Sequence, residues 1–246
     1  MRARTLVVTA LIAASAALGS CSGDAVLPTL VIGGGTSGDT VNTTRIRLVN
    51  ATGIGLDLAK NGVVFAGNKG IVYGGSSTCT PTNALTPDLS VRIAGTLAPI
   101  PGLAATYQSG VNYTVVAYTG TLGETLFATI ADTFAPVAGQ SALRVFNTAV
   151  ATGASYDVYV TDPGAGLDTT ATPSFSNVAP GAFTAFANAS ADAPRQIRIT
   201  LTGSKAVLLD LGNTALVAGQ SVTLVIVSPL VGSTRIRAFS AEGCNT

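Results

Sequence analysis

The sequence predicts an all-β protein, and three observations carry that prediction. Short segments alternate apolar and polar residues, as in Arg45-Ile46-Arg47-Leu48, which is the period of a half-buried strand. Gly, Pro, Asn and Asp clusters separate these segments, and no window between helix caps shows a convincing apolar period of 3.6. The order of segments in the first half then recurs in the second.

Taken in order, Arg45-Ile46-Arg47-Leu48-Val49-Asn50 places Ile46 and Leu48 on one face, because successive strand side chains point to opposite sides. Ser90-Val91-Arg92-Ile93-Ala94 does the same with Val91 and Ile93. Val111 to Tyr118 and Thr125 to Ile130 are rich in β-branched and aromatic residues, which suit a pleated, half-buried surface. In the second half, Arg144-Val145-Phe146-Asn147 matches Arg47-Leu48-Val49-Asn50, and Ser155 to Val160 matches Ile54 to Ala59. Gln196-Ile197-Arg198-Ile199 matches Ser90 to Ile93, and Gly219 to Val225 matches Gly110 to Val116. Four matches in one order predict two tandem antiparallel β-sandwich domains, 44–139 and 140–246, divided near Pro136-Val137-Ala138-Gly139-Gln140. The alternative is one large sandwich with accidental internal similarity.

Ahead of these lies a different kind of segment. Arg2 and Arg4 precede the apolar run Leu6 to Leu18, and Leu18-Gly19-Ser20-Cys21 then sets small residues before a cysteine. This order of basic start, apolar core and small-residue cut site is that of a secretory signal over residues 1–20. The run is shorter than the roughly 20 residues of a spanning helix. The cysteine's place resembles a bacterial lipoprotein signal, in which Cys21 would be acylated and become the first residue of the mature chain. The alternative is an ordinary cleaved signal with a cysteine beside the cut. Ser22 rather than Asp after the cysteine favours, by analogy with enteric sorting, the outer membrane. Residues 21–43, Gly-, Thr- and Ser-rich, read as a flexible tether. Their glycine run Gly33-Gly34-Gly35-Thr36-Ser37-Gly38 lacks the Gly-Lys-Ser/Thr ending of a phosphate loop.

Composition narrows the chemistry. Charged residues are 10% of the chain, the formal net charge is +1, and histidine is absent. Without a basic patch no nucleic-acid partner is expected. Without histidine, Ser-His-Asp and Cys-His catalysis within one chain are excluded. The acidic residues are scattered, so a carboxylate pair beside a sugar cleft has no support from spacing. Of the three cysteines, Cys79 and Cys244 form an even pair in a compartment that permits disulfides. Two free thiols are the alternative. Two cysteines without histidine cannot furnish a usual zinc set, and neither a metal nor a cofactor is expected.

Three further groups carry two readings each. Asp157, Asp162 and Asp168 could offer oxygen ligands to calcium, or serve as ordinary turn formers. Arg47 and Arg144, at matching strand positions, could bind an anion, or pair with Asp57 and Asp157 across adjacent strands. Tyr113, Tyr118, Tyr156 and Tyr159 could line a recognition surface, or cover a sheet edge and help close a core, and the three-residue step from Tyr156 to Tyr159 puts those two on opposite faces.

The repeated strands resemble the bacterial family catalogued as domain of unknown function 4397. The likeness rests on an Arg-containing first strand, the Asp-containing strand Tyr156-Asp157-Val158-Tyr159-Val160, and a strand like Asn112-Tyr113-Thr114-Val115-Val116-Ala117 after a glycine turn. It covers the chain from about Thr44 onward and consists of framework residues. The family's usual turn after the first strand, His-Ala-Ser-Pro-Asp-Ala-Pro, is replaced here by Asn50-Ala51-Thr52-Gly53 and Asn147-Thr148-Ala149. The sequence therefore leads us to expect two immunoglobulin-like sandwiches on a lipid anchor. The expected role is non-enzymatic, structural or adhesive, with the membrane and an envelope protein or glycan as partners. A small-ligand or carbohydrate-binding lipoprotein is the alternative, and an enzyme ranks third.

Overall fold

Fifteen strands run through the residues described in the computed structural model, 42–229 and 235–244. The signal, Cys21 and nearly all of the tether lie outside them. Strand β1 (Thr43–Ala51) begins at the last residue of the expected tether, one residue before the expected start of the first domain. Among the described residues no helix is long and apolar enough to cross a membrane.

Two β-sandwich-like domains account for the strands. In the first, β4 (Thr80–Asn83), β1, β6 (Tyr113–Thr119) and β7 (Thr125–Ala131) form one sheet in that order. The facing sheet is β3 (Val63–Val64), β2 (Leu56–Lys60) and β5 (Leu89–Ile93). In the second, β11 (Ala187–Ser190), β8 (Gln140–Asn147), β14 (Ser221–Val227) and β15 (Arg237–Glu242) form one sheet. It faces β10 (Phe175–Val178), β9 (Tyr156–Thr161), β12 (Arg195–Leu201) and β13 (Val207–Thr214).

Most pairs are antiparallel, but each domain contains one parallel pair. In these, β1 lies beside β6 with Leu48 opposite Val115, and β8 lies beside β14 with Val145 opposite Leu224. A period of two says nothing of a neighbour's direction, so alternation could not reveal this. Local chemistry fits the fold elsewhere. Pro81, unable to donate to a ladder, sits in the edge strand β4. Asn61 and Gly62, with φ of 50° and 76°, make the two-residue turn between β2 and β3.

Three apolar layers explain the burial. Ile46, Leu48, Val115, Leu58 and Val91 fill the first sandwich. Leu143, Val145, Leu224, Ile226, Ile199 and Tyr156 fill the second. Between the sandwiches, Val49, Ala51, Val116 and Ile130 pack against Phe146, Val225, Val227 and Ala241. The sheets containing β1 and β8 are thus buried on both faces, which is why β14, Ser221–Val227, reads as a continuous run and is buried throughout.

The two domains lie side by side rather than end to end. Ala51 and Thr119 leave their sheet at the end where Thr148 and Val227 leave theirs, and all four line one cleft. The link from β7 to β8, residues 132–139, joins the opposite ends of the two domains.

Candidate functional site

The residues singled out by sequence gather mainly at the junction between the domains. Because Leu143 and Val145 face the second core, Arg144 between them faces the first domain. Its guanidinium reaches Asp132 Oδ1 at 2.7 Å, donates to Ala131 O and to Thr223 Oγ1, and lies 4.3 Å from the centre of the Phe186 ring. Both charged side chains are essentially buried, at 3% and 0% exposure. Burial pushes the Arg144 guanidinium down from its ordinary value, and Asp132 opposes that shift. The other carboxylate oxygen of Asp132 accepts from Thr114 Oγ1 and from the Cys244 N–H.

The C-terminal strand closes over this node. Arg47 donates to Glu242 O, and Asn112 donates to Cys244 O. Cys79 and Cys244 are joined in a disulfide, with Cα atoms 5.8 Å apart and a sequence separation of 165. The bond fastens the end of the second domain to the start of β4 in the first. The chain-entropy model assigns so long a loop about 5 kcal/mol as an upper bound.

The expected pairing of Arg47 with Asp57 and of Arg144 with Asp157 is not formed. The two aspartates lie in the sheets facing away from the junction, whereas the two arginines point into it. Each aspartate instead braces backbone. Asp57 accepts from the N–H groups of Gly70 and Gly95, and Asp157 from those of Asn177 and Gly203. Asn50 and Asn147 are matched in the same way. Asn50 Nδ2 donates to the carbonyls of Ile54 and Ile71, and Asn147 Nδ2 to those of Ala154 and Val178. These asparagines peg the turn after the first strand of each copy.

Asp157, Asp162 and Asp168 do not converge. Asp157 is buried in its bracing role, Asp162 pairs with Arg195 on the surface, and Asp168 caps its own turn through Thr170 and Ala171. Those bonds, led by the Thr170 hydroxyl, lower the Asp168 carboxyl below its usual range. Among the described residues no group of three or more Asp, Glu or Cys could hold a metal ion. The tyrosines divide as well. Tyr156 is in the second core, and Tyr159 lies on the opposite face under Lys205. Tyr113 stacks near Tyr107, and Tyr118 meets Phe146 at the junction.

Sequence reasoning missed the cleft at the loop end of the junction. It measures about 380 Å³ and is lined mainly by Ala51, Ile54, Ala151, Val227, Ser228 and Arg237. That volume falls within the roughly 300 to 1,000 Å³ of ordinary ligand sites. The guanidinium of Arg237 lies 3.8 Å from the centre of the Tyr73 ring, which stands on a loop of the first domain. Burial raises the Tyr73 phenol above its ordinary value, with Arg237 opposing the shift. The lining comes from five separate segments, so it left no local signal for this cleft. A smaller pocket of about 220 Å³ beside Phe175 and Arg195 falls below the ligand range.

Fold and junction together define a class: a two-copy β-sandwich protein whose copies share a third, inter-domain core. Compared with known proteins, the chain matches no protein-family model and no curated protein.

Proposed function

We propose that this protein is a non-enzymatic, lipid-anchored component of the cell envelope that presents one end of a rigid double sandwich to an envelope protein or glycan. One observation carries the reading. Both domains point the same way, so the loops after β1 and β8 and the β6–β7 turn share one end, while β1 enters from the other. A tether leading into β1 therefore joins the body at the end away from those loops. Single apolar residues protrude there, with Leu122 of the β6–β7 turn 92% exposed.

Other features support the reading. A disulfide that fastens the two domains suits an oxidising, exported compartment. The carboxylates Asp57, Asp132 and Asp157 are committed to structural bonds, and Asp162 and Asp192 share Arg195 in open solvent. The family resemblance adds a duplicated framework and no chemistry. The leader and Cys21 supply the anchor, on the outer membrane by the sorting analogy.

Two experiments test the proposal. Cys21→Ala should move the protein from the membrane pellet to the soluble fraction, and unchanged partitioning would remove the anchor. A photo-crosslinking residue at Leu122 should trap discrete envelope adducts in living cells, whereas one at Val217, near the opposite end, should not. Equal labelling from both ends would overturn the presenting role.

A further inference from the structure

The strand register exposes a difference between the two copies at the mouth of the junction. Tyr118 of β6 faces Leu126 of β7, and Val227 of β14 faces Arg237 of β15. Since β14 matches β6, Arg237 stands where the first copy has leucine. A cation has been placed at an apolar position in a chain with only 10% charged residues. No carboxylate lies within ion-pair reach of Arg237 among the described residues. That contrasts with Arg144, whose donors are met from two strands and a neighbouring carboxylate.

The surroundings of Arg237 are also unfinished. Arg237 Nε, the Tyr73 hydroxyl and the Ser228 hydroxyl are buried atoms without a hydrogen-bond partner among the described residues. Buried polar atoms are ordinarily satisfied, and two of these exceptions, on Arg237 and Ser228, line the cleft, with Tyr73 against Arg237. Stacking on Tyr73 holds the guanidinium plane in place, so little side-chain freedom remains to be lost when an anion docks. Apart from Gly53, Thr119 and Thr148, the walls are the side chains of Ala51, Ile54, Ala151, Val227 and Pro229. They suit a compact apolar body and offer a sugar no open aromatic face, because the Tyr73 ring is covered by Arg237. A single arginine without a lysine or glycine nest fits a carboxylate better than a phosphate.

We infer that the inter-domain cleft binds a small organic carboxylate with an apolar body, its carboxylate held by Arg237 and assisted by Ser228. The cleft lies among the same loops that the presenting role uses, but it is tested with a small molecule rather than by envelope adducts, so failure of either reading is distinguishable from failure of the other. The test is calorimetric titration of the whole protein with hexanoate, with its neutral counterpart hexanamide, and with glucuronate as a polar acid. Saturable binding of hexanoate at one site is expected, at least about ten-fold tighter than hexanamide or glucuronate. Arg237→Leu, which installs the first copy's residue, should weaken hexanoate by a similar factor while leaving the melting temperature close to the parent's. Arg237→Lys, keeping the charge but losing the fork, should fall between them and serves as the second variant if the leucine form does not fold. Absence of saturable hexanoate binding, equal affinity for hexanamide or glucuronate, or undiminished affinity in both Arg237 variants would overturn the site.

Discussion

Two arginines at the same place in two copies of one strand have different fates. Arg144 is buried against Asp132 and fixes the junction, whereas Arg47 reaches a backbone carbonyl near the surface. The aspartates one strand later behave alike, each bracing two N–H groups of its own domain. The asparagines that peg the first turn also behave alike. What both copies retain is the internal bracing of a sandwich. What separates them lies on the faces and ends where one copy meets the other.

This contrast can be broken experimentally, and the largest effect should come from Arg144. Arg144→Met leaves the Asp132 carboxylate buried without its partner, which costs about 3–5 kcal/mol, while Arg47→Met should cost less than about 1 kcal/mol. Urea unfolding of both variants decides, and equal losses would mean that the arginines are equivalent after all. Adding Asp132→Asn to Arg144→Met should recover part of the loss, since no uncompensated charge then remains.

Next in size is the covalent fastening. Replacing Cys79 and Cys244 together by alanine should cost about 2–5 kcal/mol under oxidising conditions. A parent treated with reductant should unfold like the variant, and a variant as stable as the oxidised parent would show that the hydrogen bonds around Glu242 and Cys244 suffice. Smaller, and expected to be equal, are the effects of Asp57→Ala and Asp157→Ala. Each removes a charged acceptor from two N–H groups that belong to exposed residues, for a loss of about 1–2 kcal/mol. Hydrogen exchange should then rise at Gly70 and Gly95 in the first variant and at Asn177 and Gly203 in the second. Unequal losses would end the equivalence of the copies.

The smallest effect sharpens the comparison in the other direction. Tyr107, in the long β5–β6 segment of the first domain, is 6% exposed and its hydroxyl lacks a partner among the described residues. Burial, aided by nearby Tyr113, pushes its phenol up to about 12. Tyr107→Phe should therefore stabilise the protein by about 1 kcal/mol at neutral pH. The neutral phenol is favoured in the folded state, so its contribution is whole below pH 10 and is lost as pH rises through 12. The parent should lose more stability than the phenylalanine variant between pH 9 and pH 12 in thermal melts, and parallel pH profiles would contradict the burial argument.

Much of the fold was legible because strand patterning is local. Ile46 with Leu48 could be assigned to a core from alternation alone, and the ordered matches between halves disclosed the duplication. The pairing of Cys79 with Cys244 followed from count and compartment. The junction was harder to read for physical reasons. Asp132 is the first residue of the inter-domain link, just past β7, outside any repeated motif, so nothing in sequence ties it to Arg144. Asp57 and Asp157 looked like charge partners because they follow the arginines at similar spacing, yet they lie in the opposite sheet. The run Val222 to Val227 did hold a signal of burial on both faces, which alternation-based reading passed over. Arg237 was invisible as a site residue because its neighbours come from both copies.

The parallel pairing of β1 with β6 has a mechanical consequence. A load pulling at Thr43, against a grip on the loop end, would act along β1. The six β1–β6 pairs from Ile46 to Ala51 and the four β1–β4 pairs from Thr43 to Ile46 would then be strained together in shear. A terminal hairpin pulled across its ladder opens one rung at a time. Here rupture requires many rungs to fail at once, so the strand that enters the body is also the one best placed to resist being drawn out of it.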